Sequence, residues 1–254
     1  MNARAVLVIA GSDSSGGAGL QRDLRVLANF KIRAVTAVTA VTAQTDKAVT
    51  SVLILPPDII RDQIKAALQT CPVAAVKIGM LGNAATVGVV AECLAVLQGI
   101  PIILDPVLVS SSGHVLLDRC GQEAMYTRLF PMITLLTPNI PEVAKLFGDD
   151  VSESEEKILV QARRLLDSGL QAVLVKGGHS TGDQSVDFLF ERGKEPLRMA
   201  AQRLATTMRG TGCALSSAIS AAMADGQTLA DSCYTAKAYV LKQIRNLELN
   251  DLES

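Results

Sequence analysis

Short apolar segments rich in β-branched residues alternate along the chain with longer segments in which apolar residues recur every three or four positions. The first pattern is typical of buried strands and the second of amphipathic helices. Strands are predicted over residues 5–10, 34–43, 51–55, 74–78, 100–104, 133–136 and 172–175, with a hairpin over 185–199. Helices are predicted over 17–30, 59–69, 84–98, 122–129, 141–147, 153–168, 211–225 and 229–247.

This alternation predicts an α/β protein with a central, mostly parallel sheet and helices on both of its faces. No Pro-, Gly- or Ser-rich linker and no block of charge divides the chain, so we expect a single domain over residues 1–254. In such sheets, ligands bind beyond the carboxyl ends of the strands. Polar motifs that directly follow strands are therefore where a functional site is expected.

The composition narrows the class of protein. The 254 residues include 24 Lys and Arg against 25 Asp and Glu, and aromatic residues make up 3%. A near-neutral chain with few aromatic rings is not typical of a nucleic-acid-binding protein. No run of ~18 apolar residues occurs, so no membrane span is expected. The five cysteines are scattered and form no CxxC pair, which favours reduced thiols in a cytoplasmic protein.

Two candidate motifs follow the first two predicted strands. The glycine-rich segment 11–19 (GSDSSGGAG) lets the backbone approach a ligand closely, and Asp23 follows it by one helical turn. The segment matches neither a Walker loop nor a dinucleotide-binding loop, and a simple glycine-rich turn is the alternative. Gln44 follows the second strand. Its amide presents a donor beside an acceptor, which suits the edge of an aminopyrimidine, although a solvated side chain is the alternative.

Acidic and amide side chains follow two later strands. Asp105 comes directly after one strand, and Asn139 and Glu142 lie three residues apart at the start of a predicted helix. Such hard oxygen donors are the ligands that Mg²⁺ prefers, and this spacing lets two side chains face one point. The alternative is that Asn139 caps the helix and Glu142 interacts with its dipole.

The segment 209–216 (RGTGCALS) opens a helix of small residues. Backbone N–H groups at a helix N-terminus, exposed by Gly210 and Gly212, form an anion-binding hollow. We expect the pKa of the Cys213 thiol to be lowered there, because the positive end of the helix dipole favours the thiolate. Such a group could accept a proton from a substrate hydroxyl. A buried cysteine that only packs beside the helix start is the alternative.

Lys176 begins the segment KGGH that follows another predicted strand. Its ammonium group could reach phosphate groups, or it could be a solvated loop lysine. The two histidines, His114 and His179, lie in predicted loops without a partner in sequence, so neither is a candidate catalyst.

Together these segments resemble the hydroxymethylpyrimidine/phosphomethylpyrimidine kinase family of thiamine biosynthesis, within the ribokinase-like superfamily. The resemblance covers essentially the whole chain, through seven segments in the family's order: AGSDSSGGAGLQRDL, TAVTAQT, KIGMLG, ILDPV, LTPNIPE, VLVKGGH and RGTGCALSSA. It implies a central, mainly parallel sheet flanked by helices, with a small β flap. It also implies phosphorylation of 4-amino-5-hydroxymethyl-2-methylpyrimidine and of its monophosphate by ATP with Mg²⁺, in a homodimer.

The resemblance implies a role for each residue that matches a family motif. Gln44 resembles the residue that pairs with the pyrimidine edge. Cys213 stands where most ribokinase-like enzymes have an aspartate base, as is usual for this branch. The remaining expectations are a pyrimidine pocket at Gly11, Asp23, Thr42, Met80 and Val107, an anion hole at Gly210, Thr211 and Gly212, a Mg²⁺ and water shell at Asp105, Asn139 and Glu142, and contacts to ATP at Lys176 and Thr211.

Two residues depart from the family pattern. Arg209 stands where members often have histidine, and Thr42 where an aliphatic residue such as valine is common. The Thr42 hydroxyl requires a partner if it is buried. Two other functions fit the same segments: a kinase for pyridoxal-type substrates, since pyridoxine also carries a hydroxymethyl group on a nitrogen heterocycle, and a catalytically silent pyrimidine sensor.

Overall fold

A computed structural model describes residues 4–110, 112–151, 154–177, 183–206 and 208–253. The strands in this part of the chain are β1 (Ala5–Asp13), β2 (Arg33–Gln44), β3 (Val49–Ile54), β4 (Val73–Ile78), β5 (Ile102–Leu104), β6 (Leu135–Leu136), β7 (Ala172–Val175), β8 (Gln184–Glu191) and β9 (Leu197–Gln202). The helices are α1 (Gly19–Asn29), α2 (Pro57–Thr70), α3 (Ala84–Leu94), α4 (Arg119–Ala124), α5 (Ile140–Phe147), α6 (Glu155–Asp167), α7 (Thr211–Ala224) and α8 (Leu229–Glu253).

The nine described strands form one sheet in the order β3-β2-β1-β4-β5-β6-β7-β8-β9. The strands from β2 to β7 in this order run parallel, and β3 and β8 run opposite to their neighbours. The predicted α/β fold with a mainly parallel sheet is thus confirmed. Strand β2 lies on one side of β1, and β4 lies on the other side, so the strand order reverses direction at β1. Such a reversal leaves a crevice for ligands at the carboxyl ends of β1 and β4.

Helices cover both faces of the sheet because the central strands are apolar on both faces. Leu7 and Ile9 of β1 belong to the larger core, against α2, α3, α5 and α6. Val6, Val8 and Ala10 face the opposite side, which α1, α7 and α8 cover. The β-branched runs that predict the strands therefore fill two cores.

Several element boundaries differ from the predictions. Helix α4 begins earlier than predicted because the Asp118 side chain accepts a hydrogen bond from Gly121 N at 2.6 Å and caps it. It continues as a π-helical turn over Met125–Leu129. Strand β5 begins after Pro101, which has no N–H to donate to a neighbouring strand. The predicted start of α6 at residue 153 lies outside the described residues.

The predicted β flap corresponds to an antiparallel pair at the edge of the sheet. Strand β3 pairs with the last five residues of β2, from Ala40 to Gln44. Val41 and Leu53 lie opposite each other in this pair and are 47% and 63% exposed. The pair carries Gln44 at its end, so the flap brings a predicted site residue to the carboxyl edge of the sheet.

A fully buried ion pair joins the sheet to the helices below this edge. Lys77 Nζ of β4 lies 2.8 Å from Asp23 Oδ2 of α1, and neither side chain is exposed. Ser217 of α7 donates a hydrogen bond of 2.8 Å to the other carboxylate oxygen of Asp23. Burial opposes a charge on Lys77, but Asp23 and further nearby groups, among them Asp105, together hold the pKa of Lys77 above its ordinary value. The network therefore fixes α1 and α7 to the central strand β4.

We expect Asp23→Asn to lower the free energy of unfolding by about 3–5 kcal/mol, because it leaves the Lys77 charge buried without a counterion. Urea denaturation measures this loss. The matched control is Asp225→Asn, which breaks the exposed pair between Arg4 and Asp225 and should cost less than about 1 kcal/mol. Equal losses in the two variants would contradict the anchoring role of the buried pair.

Candidate active site

The predicted motifs meet at the carboxyl edge of the sheet, around the start of α7. Gly210 has a left-handed backbone, with φ of +69°, and a Cβ atom there would collide with the carbonyl oxygen of Gly17. A Cβ atom at Gly212 would lie 3.0 Å from Lys176 Nζ. The two glycines therefore allow α7 to begin in contact with both the glycine-rich loop and the loop after β7.

Asp13 shapes the glycine-rich loop between β1 and α1. Its Oδ1 accepts hydrogen bonds from the backbone N–H and the hydroxyl of Ser15, at 2.9 and 2.8 Å, and its Oδ2 accepts one from Ala18 N at 2.8 Å. A carboxylate that binds backbone donors a few residues later is a common turn motif. The sequence Asp-Ser-Ser-Gly carries this signal, although the sequence analysis gave Asp13 no role.

Three of the residues predicted for the pyrimidine pocket share one apolar wall. Met80 is buried with Ala40 and Leu116, and Val107 packs against this cluster. A Cβ atom at Gly11 would lie 3.0 Å from Met80 Sδ, so glycine there leaves room for the methionine. The structure thus brings Gly11, Met80 and Val107 together, and it adds Ala40 and Leu116, which the sequence analysis missed.

Thr42 and Gln44 lie at the end of β2, beside the glycine-rich loop. Thr42 is buried, and its hydroxyl donates to Ser12 O at 3.0 Å, which supplies the partner that burial requires. The same hydroxyl lies 3.4 Å from Gln44 Oε1. The Ser14 hydroxyl accepts from Gln44 N at 2.8 Å and donates to Gln44 O at 2.9 Å. These contacts hold the Gln44 backbone in place while its side chain remains partly exposed.

Asp23 is placed differently from the prediction. Its side chain is fully buried, and Lys77 and Ser217 occupy its two carboxylate oxygens. It therefore lies beneath the site and does not present a carboxylate to a ligand. The reason is that Asp23 lies on the buried face of α1, which packs toward α7 rather than toward the crevice.

Cys213 lies in the first turn of α7, near the buried pair. Gly19 N donates a hydrogen bond to its thiol, and the Lys77 charge favours the thiolate. Burial disfavours the thiolate more strongly, however, and raises the pKa of the Cys213 thiol to about 11. The expected lowering of this pKa is thus wrong, because desolvation outweighs the Lys77 charge and the Gly19 hydrogen bond. At neutral pH the resting thiol keeps its proton.

Lys176 lies between two carboxylates. Its Nζ is 2.7 Å from Asp105 Oδ1 and 3.9 Å from Glu142 Oε2, and its side chain is 11% exposed. Burial opposes the charge, but Asp105 and then Glu142 hold the pKa of Lys176 above its ordinary value. The structure therefore excludes the alternative of a solvated loop lysine.

Asn139 and Glu142 form a capping box at the start of α5. Asn139 Oδ1 accepts from Glu142 N, and Glu142 Oε2 accepts from Asn139 N, both at 2.7 Å. Among the described residues, no group of three or more His, Cys, Asp or Glu side chains is arranged to hold a metal ion. The predicted helix cap is thus present, and Lys176 lies near both Asp105 and Glu142. The Mg²⁺ and water shell at Asp105, Asn139 and Glu142 stays a prediction.

A second buried pair holds the backbone after Lys176. Asp187 of β8 accepts from Gly177 N at 2.9 Å and lies 2.7 Å from Lys237 Nζ of α8. A Cβ atom at Gly177 would collide with the carbonyl oxygen of Val186. No local sequence pattern indicates this pair, because Asp187 and Lys237 lie 50 residues apart. Residues 178–182, including His179, lie outside the described residues.

Arg209 connects three loops at the mouth of the site. Its Nη1 donates to Asp46 Oδ1 at 2.8 Å and to Ser15 Oγ at 3.0 Å, and its Nη2 lies 3.6 Å from Asp13 Oδ2. Asp46 belongs to the turn between β2 and β3. Arg209 therefore joins the β flap, the glycine-rich loop and the start of α7.

The fold and the arrangement of this edge define the class: a ribokinase-like α/β protein. A family model described as phosphomethylpyrimidine kinase matches residues 13–253. The chain belongs to the phosphomethylpyrimidine kinase family.

Individual relatives agree with this assignment. The hydroxymethylpyrimidine/phosphomethylpyrimidine kinase of Aquifex aeolicus is 38% identical over 94% of this chain and 94% of its own length. A thiamine biosynthesis bifunctional protein of Geobacter sulfurreducens is also 38% identical, and the chain spans 49% of its length. None of the described helices is both long and apolar enough to cross a membrane.

Two solved structures have the same fold. Phosphomethylpyrimidine kinase from Clostridium difficile has 33% sequence identity and a TM-score of 0.81, covering 95% of this chain and 99% of that one. A pyridoxal kinase from Staphylococcus aureus in complex with AMP-PCP and pyridoxal has 31% identity and a TM-score of 0.86, covering 96% and 88%. The fold alone thus does not separate the two kinds of kinase.

Stability should depend on pH through Glu142, since burial raises the pKa of this carboxyl from 4.5 to about 7. Between these pH values the folded state holds a proton that the unfolded chain has lost. The free energy of unfolding should therefore fall as pH rises from about 4.5 to 7, by up to about 3 kcal/mol, and remain low above it.

Urea denaturation between pH 4.5 and 8 checks this slope. Glu142→Gln should flatten it, whereas Glu156→Gln, which changes an exposed glutamate of α6, should leave it unchanged. The same slope in Glu142→Gln and in the unmodified protein would show that another group causes it.

Proposed function

We propose that the chain catalyses ATP-dependent phosphorylation of 4-amino-5-hydroxymethyl-2-methylpyrimidine and then of its monophosphate. One observation carries the proposal: the first turn of α7, which contains Gly212 and Cys213, lies against Lys176 and Asp105. Gln44 lies at the same edge of the sheet. The family of the chain and the names of its relatives agree with this activity.

The pocket supports a small heterocycle. Met80 and Val107 offer apolar contact, and Gly11 allows close approach of the backbone. Thr42 lies at the end of β2, two residues before Gln44, with its hydroxyl bound to Ser12 O. The Gln44 amide supplies a donor and an acceptor for the aminopyrimidine edge. The pocket therefore selects the ring by shape and by one pair of hydrogen bonds.

The first transfer forms a bond between the substrate hydroxyl oxygen and the γ-phosphorus of ATP, and it breaks the bond from that phosphorus to ADP. The hydroxyl proton leaves to a base, for which Cys213 is our candidate. Because its resting thiol is protonated, Cys213 must first lose that proton to solvent water, and the Lys77 charge favours the loss. Backbone N–H groups of Gly210, Thr211 and Gly212 stabilise the charge of the transferring group.

Lys176 and two carboxylates suit the phosphate end of ATP. Lys176 brings a cation to phosphate oxygens, and Thr211 lies in the adjacent first turn of α7. Asp105 and Glu142 fit Mg²⁺ in the manner usual for this ion, through one or two carboxylates, water and substrate phosphates. When bound, Mg²⁺ would neutralise phosphate charge. Asn139 would support Glu142 through the capping box.

A pyridoxal-type kinase is the second candidate, favoured by the TM-score of 0.86 to the pyridoxal kinase of Staphylococcus aureus. Parallel ATP-consumption assays with the hydroxymethylpyrimidine and with pyridoxal separate the two, with product masses measured. Exclusive use of pyridoxal would overturn the proposed substrate. Binding of the pyrimidine without turnover would instead favour a silent sensor.

We also propose that the enzyme works as a cytoplasmic homodimer. The exposed apolar pair Val41 and Leu53, at the edge of the sheet, supports the dimer, because a second copy could cover it.

Gln44→Ala should weaken pyrimidine binding about tenfold to a hundredfold, since a donor and an acceptor in the site are lost, and should change kcat much less. Calorimetry and steady-state kinetics with the hydroxymethylpyrimidine measure both effects. The matched control is Gln98→Ala, an exposed glutamine in the turn before β5. Unchanged binding by Gln44→Ala would remove Gln44 from the pocket.

Cys213→Ala should lower kcat about a hundredfold or more while leaving KM nearly unchanged, because a base acts in the transition state. Cys213→Asp supplies the alternative base of the wider superfamily. It should retain more activity than Cys213→Ala or Cys213→Ser, with its pH–rate profile shifted to lower pH. Equal rates in the unmodified protein and the alanine variant would assign Cys213 a structural role.

A further inference from the structure

The two acceptors of the proposed reaction differ in charge. The alcohol is neutral, whereas a phosphate monoester carries about −1.5 to −2 at neutral pH. In the second transfer, an oxygen of the acceptor phosphate bonds to the γ-phosphorus of ATP, and the bond from that phosphorus to ADP breaks. Two phosphate groups must therefore approach each other near the start of α7, which calls for a cation that the first transfer does not need.

Several cations near this edge already have buried or backbone partners. Lys77 is sealed against Asp23, and Lys176 lies between Asp105 and Glu142. The guanidinium groups of two arginines of α1 bind backbone carbonyl oxygens: Arg22 binds those of Gly17 and Arg209, and Arg25 binds that of Gly16. These side chains serve the structure of the loops or the ATP side of the site.

Arg209 differs because its shortest ionic contact is to an exposed group. Its Nη1 lies 2.8 Å from Asp46, whose side chain is 82% exposed, whereas the buried carboxylate of Asp13 lies 3.6 Å from Nη2. An ion pair with an exposed carboxylate contributes little free energy, because water screens it. A phosphate dianion is a stronger partner for a guanidinium group, which can bind two of its oxygens at once. Arg209 can therefore exchange Asp46 for a phosphate at small cost.

The position of Arg209 also suits this role. Consecutive residues of the glycine-rich loop contact the two sides of the site: Ser14 binds the backbone of Gln44, and Ser15 binds the Arg209 guanidinium. Gly210, the first residue of the anion hollow, directly follows Arg209. The guanidinium group thus contacts the loop residue next to the one that holds Gln44, and the Arg209 backbone leads directly into the hollow.

We propose that Arg209 is a specificity-determining residue that binds the phosphate of the monophosphate substrate, and that it does so by releasing Asp46. The inference rests on the proposed function. It assigns the second phosphorylation a contact that the first does not use. It also gives a purpose to arginine at a position where the resembling family often has histidine.

The test compares kcat/KM for the alcohol and for the monophosphate in Arg209→Met. We expect the value for the monophosphate to fall about ten- to a hundredfold more than the value for the alcohol. Arg209→Lys, which keeps the charge, should recover part of the loss. Arg119→Met is the matched control. Arg119 is an exposed residue of α4 that pairs with the exposed Glu123, and its substitution should leave both kcat/KM values unchanged.

Asp46→Asn separates phosphate binding by Arg209 from a purely structural role, in which Arg209 would only hold the turn between β2 and β3 through Asp46. If Arg209 binds the phosphate, this variant should keep the ratio of the two kcat/KM values or shift it toward the monophosphate. The inference would be overturned if Arg209→Met lowered kcat/KM equally for both substrates. It would also be overturned if Asp46→Asn lowered kcat/KM for the monophosphate as much as Arg209→Met does. Failure of the unmodified protein to phosphorylate either substrate would instead reject the proposed function.

Discussion

The ion pair between Lys77 and Asp23 is the constraint on which the site depends. Both charges are removed from water, so their separation cannot increase without a large loss of free energy. Because the pair joins β4 to α1, and Ser217 adds α7, it fixes two helices against the central strand. The glycine-rich loop and the anion hollow lie directly above the starts of these helices. Their positions are therefore set before any ligand binds, as preorganised catalysis requires.

A second buried contact performs the same task near Lys176. Asp187 holds Gly177 N and Lys237, so the backbone after Lys176 is tied to β8 and α8. The buried charges near the site thus come as pairs of a carboxylate and a lysine: Asp23 with Lys77, Asp105 with Lys176, and Asp187 with Lys237.

The sequence predicts those features that depend on neighbours along the chain. The alternating periods predict the sheet, and the motifs after the strands predict where the site lies. Features that depend on distant residues are not predictable in this way. Lys77 lies in an ordinary strand segment, and Asp187 lies far from Lys237 in sequence. The spacing of Asn139 and Glu142 fits a cap as well as a metal site, and only the hydrogen bonds of the folded protein show that the cap is formed. The helix dipole is a local argument, whereas the burial that raises the pKa of Cys213 is a property of the whole fold.

The protonated state of Cys213 also has a consequence for its chemical durability. Alkylating reagents and peroxide attack the thiolate rather than the thiol. A cysteine with a pKa of about 11 is almost entirely a thiol at neutral pH, so it reacts slowly with such reagents. The Cys213 thiol should therefore resist oxidants that would inactivate an enzyme with a permanently ionised cysteine.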